Sequence, residues 1–515
     1  MDERNGRVES RLTRVEFQVD VLGRDVFEIL RLIGSWSNSF APINRLPSEL
    51  LALLPDFWDP QDTCHARNRE LVTLTHVCRG WRELFISRST LWTKFYCLDS
   101  DKTRTYLERS KSSPINLLLY GDHDLSRRDP FLQIVPHAIG RLKSLSVKVV
   151  PDTLPNITAR LSLPAPLLEY LSIDGDRSFL PRLSPALAST LFNEDLSPLR
   201  ELRLRSVRTE LPWRNMVNLT SFTLAYTPPG VISVRHLLDF FDSAPRLRKV
   251  QLEAATLSPG AQDGRLVSLA CLKWMNIIGS GTSSLLLNHL LIPVGAELVI
   301  QVEFFDPLIE DRLPKYLDNL RNLSGFTEIH LCNHAAHRYM RFGGPNGQTT
   351  MSPTASRPDT HRWMLESLAQ FDISKVERVE IEPGECLSWV SEAIRLFYQT
   401  LLHMKCLRTL VLTDCHLPRI FTNALYPSTS SEGLACPGLE EIVIGLRGDS
   451  GTLDIERFVG IAAARAARGA KLKSVRIITQ DEAVKASALG LEEHVLRVRC
   501  GPDVGGAEGR KGRSW

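Results

Sequence analysis

The chain has 515 residues, which is more than one compact hydrophobic core holds. Hydrophobic residues make up 43% and charged residues 23%, as in ordinary globular proteins. The 62 Lys and Arg residues against 59 Asp and Glu leave a formal charge of +3, which gives no support to a nucleic-acid or membrane-surface role. We therefore expect either about three domains or one long repeat array with a small accessory domain.

No targeting signal is visible in the sequence. It has no run of about 18 apolar residues, so we expect no transmembrane helix. The first residues, Met1–Ser10, are charged and lack the apolar stretch of a secretory signal. The ten cysteines are then expected to be free thiols in a reducing compartment, the cytoplasm or the nucleus.

The first 34 residues follow a heptad pattern. Apolar residues recur at alternating steps of four and three, at Val8, Leu12, Val15, Val19, Leu22, Val26, Ile29 and Ile33. This spacing is typical of a left-handed coiled coil, and in a parallel pair Arg11 could reach Glu16 of the second copy. The sequence predicts a helix over residues 1–34 that either forms a homodimer through residues 7–33 or packs on its own chain. A linker is predicted over residues 35–42.

Two helices are predicted between residues 43 and 98. The first begins near Leu46-Pro47-Ser48-Glu49, since proline suits the first helical turn and a carboxylate there meets the positive end of the helix dipole. The second is predicted over Glu70–Leu84, where apolar residues recur at helical spacing. A Leu91-Trp92 pair follows after a short break.

This segment resembles the F-box of the large fungal F-box families. Three motifs agree in order: Leu46-Pro47-Ser48-Glu49, Val77-Cys78-Arg79-Gly80-Trp81 and Leu91-Trp92. The stretch Pro55–Arg69 departs from the family pattern because it is longer and more polar than the usual turn. The resemblance implies a small all-α module over residues 43–98 that docks on a Skp-type adaptor and through it on a cullin. The docking residues that it implies are Ile43, Leu46, Pro47, Leu50, Leu51, Val77 and Trp81, although some of them could instead form the core of a local helical bundle.

One pattern, apolar-x-x-apolar-x-apolar, recurs between residues 112 and 480, with most copies about 20 to 33 residues apart. The copies begin at Leu142, Leu168, Leu199, Leu219, Leu247, Leu272, Phe326, Val376, Leu407, Leu439 and Leu472. Each alternating apolar pair predicts a short strand with one buried face. Helical stretches, such as Val234–Phe241, Glu392–Met404 and Ile455–Ala467, separate the strands.

The predicted fold class is therefore α/β: an N-terminal helix and a small all-α module precede an irregular repeat of parallel strands and outer helices. This repeat resembles the leucine-rich-repeat solenoid, although the asparagine or cysteine expected eight positions after each opening leucine is mostly missing. Residues 341–360, rich in Gly, Pro, Ser and Thr, predict a flexible insertion, and residues 500–515 a disordered tail.

One residue of each strand lies between the two buried positions and is predicted to face the concave side, where a substrate could bind. The candidate binding residues are Arg203, Thr223, Gln251, Asn276, Gln301, His330, Glu380 and Arg476. Ser146 and Ser172 take the same place in earlier copies, and Val411 and Val443 are two apolar members of the set. A cluster of basic residues around Arg203 suits either an acidic partner or a solvated edge.

Enzyme and metal motifs are missing from the sequence. It has no Walker or dinucleotide fingerprint, no His-Glu-x-x-His helix, no Gly-x-Ser-x-Gly elbow and no paired Cys-x-x-Cys knuckles. The best metal candidate, His330 with Cys332, His334 and His337, fits no common zinc spacing. We expect no enzyme, no cofactor and no metal site.

The sequence thus predicts a non-catalytic substrate-recognition subunit of an SCF-type ubiquitin ligase, whose repeats recruit a protein substrate. The alternative is a repeat scaffold that binds a protein partner without any role in ubiquitin transfer.

Overall fold

The structure is a computed structural model of the chain. It describes residues 2–57, 64–96, 100–121, 137–149, 154–175, 187, 191–209, 215–228, 231–258, 260, 264–279, 283–302, 317–323, 325–333, 338–345, 347–353, 360–382, 391–413, 425, 434–445 and 455–501. By packing, the chain divides into two units, Met1–Ser172 with Leu191–Asn193, and Ile173–Thr190 with Glu194–Trp515. No helix among the described residues is long and apolar enough to cross a membrane.

The first unit begins with a long helix and a group of short ones. Its helices are α1 (Asp2–Ser39), α2 (Ser48–Leu51), α3 (Cys64–Leu74), α4 (Arg79–Ser87), α5 (Ser100–Ser110) and α6 (Leu154–Arg160). Helix α1 continues through the first five residues of the predicted linker. A 3₁₀ turn, Pro42–Arg45, follows it, and a second one, Ser89–Trp92, follows α4.

The strands of the first unit are β1 (Lys94–Tyr96), β2 (Ile115–Gly121) and β3 (Leu142–Val149), and β4 (Tyr170–Gly175) lies at the division between the units. Strand β2 pairs in parallel with both β1 and β3. Strand β1 belongs to residues 43–98, which were predicted to be all helical. The end of that segment therefore joins the sheet, because Phe95 supplies a buried apolar side chain.

The second unit carries most of the repeat strands. They are β5 (Glu201–Arg205), β6 (Ser221–Ala225), β7 (Ile232–Ser233), β8 (Lys249–Glu253), β9 (Leu257–Ser258), β10 (Val267–Ser268), β11 (Trp274–Ile278), β12 (Leu290–Leu291), β13 (Glu297–Val302), β14 (Glu328–Asn333), β15 (Arg338–Gly344), β16 (Gly347–Pro353), β17 (Arg378–Glu382), β18 (Thr409–Leu412), β19 (Glu441–Gly445), β20 (Ser474–Ile478) and β21 (Val498–Gly501). Its helices are α7 (Val234–Ser243), α8 (Ser283–Leu287), α9 (Thr360–Leu368), α10 (Ser391–His403), α11 (Ile455–Ala467) and α12 (Glu482–Ala488).

The repeat strands pair in parallel along the chain. The parallel order runs from β5 through β6, β8 and β11 to β13, and then from β14 through β17, β18, β19 and β20 to β21. The predicted α/β class, with an N-terminal helix and a long parallel sheet of the leucine-rich-repeat kind, is confirmed. Strand β21 extends the repeat beyond residue 480, so Cys500 and Gly501 belong to the sheet and not to a tail.

The pattern forms strands because its apolar positions supply the core. All eleven opening residues, from Leu142 to Leu472, are buried. Helix α7 shows how a helix covers the strands: Ser233 caps its start by accepting a hydrogen bond from the His236 N–H at 3.2 Å. Its Phe240 ring then packs 4.5 Å from the Phe222 ring of β6.

The structure corrects the prediction of a flexible insertion over residues 341–360 for the part that it describes. Strands β15 and β16 form an antiparallel hairpin in which Met340, Phe342 and Met351 are buried. Strand β16 pairs in parallel with β13, and β15 pairs antiparallel with β14, so the hairpin fills the place between two repeat strands. The buried Asn322 amide donates to the Thr349 hydroxyl at 2.8 Å and ties the hairpin to the preceding turn.

A buried arginine stabilises the C-terminal repeats. Arg465 of α11 has no exposed surface, and its guanidinium donates to the carbonyls of Ala435 and Cys436 at 2.9 and 2.7 Å. Burial lowers the pKa of Arg465 and raises the pKa of the Cys436 thiol to about 12. These bonds give the carbonyls of Ala435 and Cys436 a hydrogen-bond partner. The backbone turns sharply at this point, because the φ of Cys436 is 47°, in the left-handed region.

We expect Arg465→Met to lower the free energy of unfolding by about 2 kcal/mol, because two buried carbonyls lose charged donors. The midpoint of urea unfolding measures this. Arg468→Met, which changes an exposed arginine of the same turn, is the matched control and should leave the midpoint nearly unchanged. An equal shift for both variants would contradict the role of Arg465.

Candidate protein-interaction surfaces

The segment with the three ordered motifs folds around a small apolar core. Leu51 of α2 and Trp81 and Phe85 of α4 are its buried members. Partly buried side chains pack around them: Leu54, Leu74, Cys78, Leu84 and Leu91. The predicted helix over Glu70–Leu84 is in fact two helices, because the chain is extended at Cys78, whose φ is −158°.

Hydrogen bonds of two indole groups fix this core. The Trp81 Nε1–H donates to the Asn44 Oδ1 at 2.6 Å, which joins the turn after α1 to α4. The Trp92 Nε1–H donates to the Phe85 carbonyl at 2.8 Å, and Trp92 is fully buried. A buried indole needs such a partner for its N–H, so both tryptophans of the motifs have structural roles.

The predicted docking residues divide into two groups. Ile43, Leu46, Leu50 and Val77 are between 43% and 52% exposed, and Pro47 is exposed as well. The structure corrects the prediction for Leu51 and Trp81, which are only 7% and 5% exposed because they form the core. Leu53, at 42% exposed, was not predicted, although it follows Leu50 at helical spacing.

The core fixes the position of part of this exposed set. Asn44 lies between Ile43 and Leu46 in the sequence, and its bond to Trp81 holds this turn beside α4. Val77 directly precedes Cys78, the residue before the first turn of α4. Among its described residues, this small module presents seven large apolar side chains to solvent: Ile43, Leu46, Leu50, Leu53, Phe57, Val72 and Val77.

We expect Trp81→Ala to lower the free energy of unfolding of this segment by about 3–5 kcal/mol, because it empties the core. Val77→Ser changes an exposed residue and should shift it by less than about 0.5 kcal/mol. Hydrogen exchange of the α4 amides measures both effects. Comparable losses of protection in the two variants would contradict the assignment of Trp81 to the core and Val77 to the surface.

A second surface is formed by the repeat strands. Their register aligns one residue from each strand in a single line across the sheet of the second unit, which we call the polar row. Its members are Arg203, Thr223, Gln251, Asn276, Val299, Thr350, Arg341, His330, Glu380, Val411, Val443, Arg476 and Arg499. Twelve steps of about 4.8 Å between neighbouring strands make it about 58 Å long.

Most of the predicted binding residues lie in the polar row. Seven of the eight are members, and none of the eight is buried. The eighth, Gln301, lies two residues beyond Val299 on the same face of β13 and aligns with Ile278. Val299 is therefore the residue of β13 that belongs to the row. The row has three apolar members, Val299, Val411 and Val443. Val299 is partly exposed, whereas Val411 and Val443 are only 5% and 9% exposed, so β18 and β19 interrupt the exposed part of the row.

The basic cluster at the start of the polar row is partly neutralised. The Arg203 guanidinium forms an ion pair with Glu201 at 2.6 Å, and the Arg205 guanidinium lies 5.3 Å from the centre of the Tyr226 ring. Exposed pairs of this kind contribute little to stability. The cluster is therefore a mixed-charge surface rather than a wholly cationic one.

A cluster of ionisable side chains lies near the middle of the row. One ligand atom each of His330, Glu380 and Glu382 falls within 4.8 Å of the others, and the His330 Nε2 is 3.4 Å from Glu382. The Tyr339 hydroxyl is 3.5 Å from the His330 Nδ1, and burial raises the pKa of Tyr339 to about 12. Arg378 lies 3.5 Å from Glu380 and competes with any cation for this carboxylate.

The sequence suggested Cys332, His334 and His337 as metal ligands beside His330. The structure instead puts Glu380 and Glu382 beside it. Cys332 is buried on the same strand, whereas His334 and His337 lie outside the described residues. His330 of β14 thus lies beside two carboxylates of β17, one of which, Glu380, already has Arg378 as a partner.

No protein-family model and no curated protein matches the chain. Among solved structures, the crystal structure of a TLR13–ssRNA13 complex is similar to 67% of this chain, with 15% sequence identity and a TM-score of 0.26. The chain covers 47% of that structure, about half of its length. A likeness at this level carries no argument, and the fold assignment rests on the strand register alone.

Proposed function

We propose that the chain is a non-catalytic substrate-recognition subunit of an SCF-type ubiquitin ligase. The segment around Leu46 and Trp81 would dock on a Skp-type adaptor, which connects it to a cullin, and the polar row would hold a protein substrate. Ubiquitin transfer would then depend on proximity, since tethering raises the effective concentration of the substrate.

The observation that carries the adaptor part is the division between core and surface. Leu51, Trp81 and Phe85 form the buried core of the segment, whereas apolar side chains around them stay exposed. Exposed apolar groups concentrated in one small module are typical of a binding surface. The order of the three motifs agrees with the F-box pattern and supports the same partner.

The polar row supports the substrate part. It offers side chains of both charges and amides along several strands, as a protein-binding surface requires.

The cysteines agree with the compartment that such a ligase needs. The described cysteines Cys78, Cys271, Cys332, Cys406, Cys436 and Cys500 are free thiols. Free thiols are typical of the cytoplasm and the nucleus. We propose one or both of these compartments for the protein.

Co-purification with a Skp-type adaptor and a cullin tests the proposal. We expect the wild-type chain to retain both and Leu46→Asp with Leu50→Asp to bind the adaptor at least about 100-fold more weakly, because two apolar anchors become charged. Leu489→Asp with Leu496→Asp, two leucines that are 63% and 65% exposed in the second unit, is the matched control and should bind like wild type.

Failure of the wild-type chain to retain either partner would overturn the ligase proposal. The alternative, a repeat scaffold without a role in ubiquitin transfer, would then remain, because the polar row does not depend on the adaptor segment.

A further inference from the structure

Helix α1 leaves a continuous apolar stripe in solvent. It is 38 residues long, and Leu12, Val15, Val19, Leu22, Val26, Ile29 and Ile33 are each between 53% and 62% exposed. A lone helix gains little stability in water without packing of an apolar face. We call this exposed stripe the α1 seam, and we expect it to pack against another apolar surface.

The α1 seam has the register of a two-stranded coiled coil. Leu12, Val19, Val26 and Ile33 occupy one core position of successive heptads, and Val15, Leu22 and Ile29 occupy the other. Trp36 takes the next core position and its ring packs 5.1 Å from the Phe40 ring. The charged residues Arg24, Glu28 and Arg31 lie outside the seam, where Arg31 and Glu28 form an ion pair at 2.7 Å.

The residues that flank the seam favour a parallel pair of identical helices. In a parallel pair, Arg11 of one copy lies opposite Glu16 of the other, which makes two symmetric charge pairs. The flanking leucines Leu30 and Leu32 are 62% and 57% exposed, and a parallel pair gathers them from both copies at the same end. An antiparallel pair would place the charged end of one helix against the leucine-rich end of the other.

The seam is large enough to hold two copies together. Nine aliphatic side chains, the seven of the seam with Leu30 and Leu32, would be covered. At roughly 100 Å² for each side chain, the buried area is on the order of 900 Å² per copy, close to the area of a standard stable interface.

We propose that α1 forms a parallel two-stranded coiled coil with α1 of a second copy of this chain. The dimer gives each assembly two polar rows and two copies of the segment around Trp81. Two linked binding surfaces raise the avidity for a partner with repeated sites. The proposal does not rest on the ligase function, and Leu46→Asp with Leu50→Asp should leave the dimer intact.

Light scattering coupled to size exclusion tests the proposal on the full chain at micromolar concentrations. The wild-type mass should be twice the 57.9 kDa of one chain. Val19→Asp with Val26→Asp buries charges in the seam and should weaken dimerisation at least about 100-fold, which gives a monomer. Phe17→Asp with Phe27→Asp, two exposed apolar residues outside the seam, is the matched control and should stay dimeric.

Circular dichroism checks that all variants keep their helical content. A wild-type monomer, a dimer that survives the seam substitutions, or an equal loss in the control would each overturn the proposal.

Oxidative cross-linking tests the orientation. Leu12→Cys and Ile33→Cys, made separately, should each give a covalent dimer that the wild-type chain does not form under the same conditions, because a parallel pair puts identical core positions side by side. Absence of both cross-links in a dimeric sample would overturn the parallel arrangement.

Discussion

The pairing of neighbouring strands in the sheet, with the hairpin of β15 and β16 joining β13 to β14, is the constraint on which the rest of the second unit depends. Side chains alternate along a strand, so a slip of one residue would exchange its two faces. Leu202, Leu224 and Leu252 stay buried while Arg203, Thr223 and Gln251 stay on the other face because the register is held from β5 to β8. A buried core and an exposed polar row are thus consequences of the same hydrogen-bond ladder.

The repeat strands were predictable because their alternation is local and is repeated many times. The hairpin of β15 and β16 was not predicted, since its glycines and threonines resemble a loop and its partners β13 and β14 come earlier in the chain. Alternation of Tyr339, Met340, Arg341 and Phe342 was the available signal. The burial of Val411 and Val443 was also visible in their apolar character, although the pattern alone put them with the polar residues.

The segment from Ile43 to Trp92 shows a different limit of sequence reasoning. Its motifs identify which side chains matter, but a helical stripe does not reveal which members face the core of the module. Leu50 and Leu51 are neighbours of the same type, and only the packing of Trp81 and Phe85 decides that Leu51 is buried and Leu50 is not. The hydrogen bond from Trp81 to Asn44 joins residues that are far apart in the chain and leave no local pattern.

The two faces of the sheet can be compared directly by the rate at which single introduced cysteines react with a thiol reagent, measured against the wild-type background. Cysteine at Thr223, Gln251 or Glu380 should react in the folded protein, whereas cysteine at Leu224, Leu252 or Ile381 should react only on unfolding. Val411→Cys should behave like the second group, because this member of the polar row is covered. Equal rates at neighbouring positions, or fast labelling of the second group, would contradict the register and with it the polar row as a binding surface.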